Sequence, residues 1–154
     1  MIVETKIQEK KEWENPTAGS HAAVLVDVVD LGLETMTNDK GDSVTKPKVR
    51  LVFEIDQKLK ETGLAMTVQR KVTASMHEMS NLYGIMETWL GRAPTPEEQA
   101  RFDLDTMIGE SANLMIIHTK DKNFPEKIWA NIDRVYPAEK KLKPSGDYIR
   151  VQNR

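Results

Sequence analysis

Three histidines, His21, His77 and His118, and a scatter of carboxylates are the first candidates for chemistry in this sequence. His77-Glu78 opens like a helical zinc-hydrolase pair, but that motif needs a second histidine four residues on, and position 81 is Asn. The three histidines fall on separate predicted elements, whereas a metal site needs three or four converging ligands. The sequence contains neither a G-x-S-x-G elbow nor a G-x-x-x-x-G-K phosphate loop. "NDKGDS", Asn38 to Ser43, lacks the alternating oxygens and terminal Glu of a calcium loop and reads as a hairpin turn. Glu97, Glu98, Asp103 and Asp105 lie near predicted helix starts, where the helix dipole favours them. The expectation is a protein that is not an enzyme and uses no metal or other cofactor.

Contact with a polyanion is the better supported chemistry. An unpaired polynucleotide is held by cations that follow its phosphates and by exposed rings on which its bases stack. Lys40, Lys46, Lys48 and Arg50 occur within eleven residues and are opposed only by Asp42; Arg70 and Lys71 form a second group. Lys120, Lys122 and Lys127 form a third, offset by Asp121 and Glu126. Phe53, Tyr83 and Trp89 fall on apolar stripes and Phe102 reads as an anchor for a connector, which leaves Phe124 and Trp129 as candidate stacking rings. Trp129 alternates away from Ile128, Ala130 and Ile132; packing under a loop or against another subunit explains it equally well.

Composition limits the alternatives. At 154 residues and 39% hydrophobic content, one domain with one core is expected. The 22 Lys and Arg against 24 Asp and Glu give a net charge of −2, so an anionic ligand must be met by a local patch. There are no cysteines, which removes disulfides, thiolate nucleophiles and cysteine zinc sites. No uncharged run approaches the ~18 residues of a membrane helix, and the first twenty residues lack the apolar segment of a signal peptide. A soluble, cytoplasmic protein with no membrane partner is expected.

The elements follow from periodicity. Residues 1–20 are charged and aperiodic and are expected to form a flexible arm. A first strand is predicted over Ala22–Leu31, then a loop from Leu33 to Pro47. "KVRLVFEID" sets Val49, Leu51, Phe53 and Ile55 against Lys48, Arg50, Val52 and Glu54, a half-buried second strand. "LAMTVQRKVTAS" gives a third, whose faces blur near Arg70, where a bulge would explain the change. One helix is predicted over Ser75–Arg92, with Ser75 and Glu78 as a capping box. Its stripe is Met79, Leu82, Tyr83, Met86, Trp89 and Leu90, and Gly91 is the C-terminal cap. Helical turns are expected near Pro96–Ala100 and Leu104–Ile108, then strands in "SANLMIIHTKD" and "KIWANIDRVYP". Residues 138–154 read as a basic, breaker-rich tail.

Three strands, one helix and two strands is the order of an OB-fold, a five-stranded Greek-key barrel with a helix capping one end between strands 3 and 4. A ferredoxin-like fold would need a helix directly after the first strand, and an SH3-like barrel would not use so long a helix. The OB domain is expected over residues 21–137. Such barrels bind oligonucleotides on strands 2 and 3 and on the loops joining strands 1–2 and 4–5. The candidate contacts are therefore Lys46, Lys48, Arg50, Arg70, Lys71, Lys120, Lys122, Phe124, Lys127 and Trp129.

"VVDLG", "KVRLVFEID", "SMHEMSNLYGIMETWLGR", "FDLDTMIGESANLMIIH" and "WANIDRVYP", in this order, resemble a family of phage and prophage OB-fold single-stranded-DNA-binding proteins. The similarity runs from Val24 to Pro137, and "SMHEMSNL" and "FDLDTMIG" are its most specific parts. It implies single-stranded DNA as ligand, a place in a phage replication or recombination module, and a phage recombinase or polymerase as partner. It carries no site motif, and oligomeric state stays open. Bacterial single-stranded-DNA-binding proteins commonly end in an acidic tip, whereas "KKLKPSGDYIRVQNR" is basic; Lys140, Lys141 and Lys143 either supplement DNA contacts or keep a frayed end soluble. The rival expectation is an OB-type protein-interaction or virion-assembly module without DNA binding.

Overall fold

The computed structural model describes residues 1–5 and 14–154. The strands are β1 (Gly19–Thr37), β2 (Ser43–Lys58), β3 (Ala65–Thr73), β4 (Ser111–Lys120) and β5 (Ile128–Pro137). Between β3 and β4 lie α1 (Asn81–Leu90), α2 (Pro96–Ala100) and a 3-10 turn (Leu104–Met107). The expected order of three strands, one helix and two strands is observed, and the helical turns expected near Pro96–Ala100 and Leu104–Ile108 are α2 and the 3-10 turn. The strands form one antiparallel sheet in the order β3-β2-β1-β4-β5. Closure into a barrel is not: β3 and β5 are its two edges, and no backbone ladder joins them.

The inner face of the sheet carries the main core. Ala23 and Leu25 of β1, Val49, Leu51, Phe53 and Ile55 of β2, Met66, Val68 and Val72 of β3, and Leu114, Ile116, Ile132 and Val135 of β4 and β5 form one cluster. The alternation read in β2 places its row as expected. Ile132 and Val135 are three apart rather than two because a bulge at Asp133 interrupts the β4–β5 register.

Arg70 lies on this inner face. No bulge occurs there: the β2–β3 register is unbroken from Lys48 opposite Thr73 to Glu54 opposite Thr67, and the irregularity falls between Glu54 and Lys58. The side chain consequently follows Met66 and Val68, and its Nη1 donates to the carbonyls of Ile132 (3.4 Å) and Asp133 (3.3 Å) on β5. A guanidinium thus bridges the seam that the backbone leaves open, at the bulge that frees those carbonyls.

α1 covers the same region, packing against β5 and β3. It is shorter than expected. Ser80, not Ser75, is its N-cap and accepts the Tyr83 N–H, while Ser75 opens a preceding turn by accepting the His77 N–H. The capping box expected at Ser75 and Glu78 does not form, and Met79 is 84% exposed. Leu82, Ile85, Met86 and Trp89 make the buried stripe. Trp89 stands 5.6 Å from the Phe53 ring and donates its indole N–H to Ser111 O at 2.9 Å. Gly91 ends the helix at φ 73°, a left-handed cap that a side chain would strain.

The segment expected as a loop, Leu33 to Pro47, is mostly strand. β1 and β2 stay paired to Thr37 opposite Ser43, with Thr35 and Thr45 hydroxyls 3.0 Å apart across the ladder. The turn is confined to Asn38–Asp42, where Asn38 Oδ1 accepts the N–H groups of Lys40 and Asp42. Of the expected N-terminal arm, residues 6–13 lie outside the described residues. Residues 14–20 are tied down: Thr17 N–H bonds Gln57, Asn15 bonds Ile128 O, His118 bonds Pro16 O, and β1 begins at Gly19. Among the described residues no helix is long and apolar enough to cross a membrane.

Arg70→Met keeps the apolar stem and removes both bonds across the seam. It should lower unfolding free energy by about 1–2 kcal/mol, measured by urea denaturation.

Candidate functional site

The opposite, outer face of the sheet is read directly from the register. Its rows run Val24–Glu54–Thr67, Asp27–Val52–Gln69, Val29–Arg50–Lys71 and Gly32–Lys48–Thr73, with Glu34 and Lys46 beyond them on the β1–β2 ribbon. Four expected contacts, Lys46, Lys48, Arg50 and Lys71, are therefore brought together on one surface. They are not equally available. Lys71 is paired with Glu34 at 3.1 Å and Lys48 donates to Thr73 Oγ1 at 2.8 Å. Arg70 does not belong to this group, because strict alternation turns it inward to the β5 carbonyls.

The other five expected contacts form a second group at the far end of β1. Lys120, Lys122, Phe124, Lys127 and Trp129 lie on or beside the β4–β5 loop, close to Asn15, which precedes β1; Lys46 faces Glu34 near the end of that strand. Phe124 is 59% and Trp129 45% exposed. Asp121 organises the loop. Its Oδ1 accepts the N–H groups of Asn123 (2.9 Å) and Phe124 (3.1 Å), and its Oδ2 accepts the Trp129 indole N–H at 3.0 Å. The Trp129 bond first, then the two backbone donors and the Lys127 charge, hold the Asp121 carboxyl below the usual carboxylate range. Lys127 Nζ stands 4.5 Å from the Trp129 ring centroid, a cation–π contact on one face of the ring.

The greatest departure from expectation is the tail. Residues 138–154 are docked over the two rows Val24–Glu54 and Asp27–Val52. Leu142 and Tyr148 pack on Val24, Val26 and Val52 as a small second core. Glu54, 2% exposed, accepts the Ser145 N–H and hydroxyl at 2.8 and 2.5 Å. Asp27, 1% exposed, accepts from Tyr148 Oη (2.9 Å), Arg150 Nε (3.0 Å) and Val151 N (2.9 Å). Arg150 also reaches Asp105 at 3.6 Å, tying the tail to the 3-10 turn. A part of the face expected to be open is thus occupied by the chain itself.

Burial pushes the Asp27 carboxyl up, but the Val151 N–H, the Arg150 and Tyr148 donors and the Arg150 charge outweigh it, and its pKa lies below the ordinary 3.8. For Tyr148, burial and then the bond to Asp27 raise the phenol. Asp27, Glu54 and Asp121 lie outside the set of expected site residues. A charge interrupting "VLVDVV" was the available signal for the first, and Asp two residues before Asn and three before Phe, an Asx turn, for the last.

The histidines serve structure. His21 bonds Asp56 Oδ1 at 2.8 Å and Thr17 O at 2.7 Å, His77 Nδ1 accepts the Met79 N–H, and His118 holds Pro16. Among the described residues no three His, Asp or Glu side chains converge as metal ligands. No protein-family model matches the chain, and no curated protein matches it significantly.

Because the folded pKa of Asp27 is depressed, the stability it contributes is present above 3.8 and is lost as pH falls through the lower folded value. Asp27→Asn should cost about 1–3 kcal/mol at neutral pH. In denaturant titrations across pH, the gap between wild type and variant should stay constant down to about pH 4 and close below it.

Proposed function

We propose that this chain is a non-catalytic, OB-type binder of single-stranded DNA with little sequence preference. The observation that carries the reading is the β4–β5 loop, where two exposed rings, Phe124 and Trp129, stand among Lys120, Lys122 and Lys127. The strand order supports the OB reading: β3 and β5, the strands whose pairing would close such a barrel, are the two edges bridged by Arg70. In this reading bases stack on Phe124 and on the Trp129 face away from Lys127. Phosphates are met by the loop lysines and, over β2 and β3, by Lys46, Lys48 and Arg50. Lys71 contributes once an incoming phosphate competes with Glu34. Neither kind of contact reports base identity, so discrimination among sequences is slight. The expected place in a phage replication or recombination module, with a recombinase or polymerase as partner, belongs to the same proposal.

A protein-interaction module is the second reading, favoured by three exposed apolar side chains, Phe124, Ile128 and Trp129, at one end of the sheet on a chain of net charge −2. Salt separates the two, because phosphate contacts release counterions and apolar docking does not.

Fluorescence anisotropy of a labelled thymidine oligomer, titrated at several salt concentrations with duplex DNA as control, should give saturable binding to the single strand that weakens steeply with salt. Absence of saturation rejects the reading. Trp129→Ala should cost about 1–3 kcal/mol of affinity. Lys120→Ala with Lys122→Ala should reduce the slope of log K against log salt by about 1.4, at about 0.7 per phosphate on a single strand.

A further inference from the structure

The docked tail carries five cations, Lys140, Lys141, Lys143, Arg150 and Arg154, against Glu139 and Asp147. The rows beneath it carry Asp27 and Glu54, both buried by it. Without the tail, that half of the outer face would present two carboxylates to an approaching polyanion. With it, both are covered: Asp27 is paired with Arg150, Glu54 is hydrogen-bonded to Ser145, and Lys140, Lys141, Lys143 and Arg154 stand exposed on the covering segment. None of these four is in an ion pair among the described residues. The covered rows adjoin the row of Arg50: Val29, its cross-strand neighbour, packs against the cluster that Leu142 and Tyr148 complete. Farther along, Lys48, Arg150 and Gln152 line one cleft of about 570 Å³ together with Asp27, Asp30 and Asp105, so its charge is mixed and Lys48 is the cation there not already paired with a carboxylate.

We propose that residues 140–154 are a working part of the polynucleotide-binding face, a strap that Asp27 holds in position and that continues the cationic surface of Lys48 and Arg50 across β1. Its ligand is the phosphodiester backbone of an unpaired strand, so the inference rests on the function proposed above. Asp27 acts as a positioning residue. Its three donors all come from Tyr148, Arg150 and Val151, so loss of its charge undoes the strap rather than any contact with the ligand.

The test exploits a conflict of signs. Asp27→Asn makes the chain one unit more positive, and by charge alone it should bind a thymidine oligomer more tightly. If the strap matters, it binds about tenfold more weakly at moderate salt, as expected from loss of several phosphate contacts. Hydrogen exchange should show the Val151 amide losing protection in the same variant. A second variant, Lys140→Gln with Lys141→Gln and Lys143→Gln, keeps the latch and should lower the log K–log salt slope by about 2. An Asp27→Asn protein that binds as tightly as wild type or more so, or that keeps Val151 protected, overturns the positioning role. An unchanged slope in the lysine variant overturns the strap as a phosphate contact. Failure of the wild type itself to bind would instead reject the function proposed above, a result distinct from these.

Discussion

Covering the inner face of a sheet that is not sealed by its own hydrogen bonds is the constraint on which the rest of this structure depends. β3 and β5 approach from opposite ends of the strand order without forming a ladder, so apolar side chains and backbone carbonyls at that seam need other partners. Two devices meet the need. α1 lays Leu82, Ile85, Met86 and Trp89 against the core, and Arg70 reaches from the inner row of β3 to the carbonyls freed at the β5 bulge. A cation in an otherwise apolar row is explained by the seam, and so is the placement of the chain's longest helix between the third and fourth strands.

The outer face is governed by a different balance. A buried carboxylate is costly unless several donors compensate it, and β1 and β2 each place one there. Asp27 and Glu54 receive their donors from residues 145–151, so the tail and the two carboxylates are mutually dependent. The apolar contribution of Leu142 and Tyr148 is small beside the main core, and polar contacts carry much of the docking. Docking of the tail therefore depends on the charge of Asp27, and the tail borders the row of Arg50 on β2.

Much of the fold was legible in local pattern: the β2 row from Val49 to Ile55 follows from period-two alternation, and the succession of strands along the chain from apolar, β-branched segments between turn formers. Helix ends were legible only where one residue type dominates the local conformation. Gly91 was readable as a left-handed cap, whereas Ser75 and Ser80 both satisfy the N-cap preference and the helix starts at the second. The extent of the first hairpin was hidden because Thr35 pairs with Thr45 and Met36 with Val44 across a ribbon whose sequence is rich in turn formers. Arg70 was misplaced because a bulge was expected where the alternation from Met66 and Val68 runs unbroken, and the tail because the partner of Tyr148, Asp27, lies 121 residues away in sequence. In the candidate site, residue types were readable but their availability was not, since ion pairing and face assignment decide which cations remain for a ligand.

The proposed binding face can be tested directly by following backbone amide resonances of isotope-labelled protein during titration with a thymidine oligomer. Shifts should concentrate at residues 120–129, on the outer rows of β2 and β3 around Lys48 and Arg50, and along the tail from Lys140, while α1 stays silent. Shifts confined to α1 or to the inner rows, or no shifts at saturating oligomer, would contradict the account.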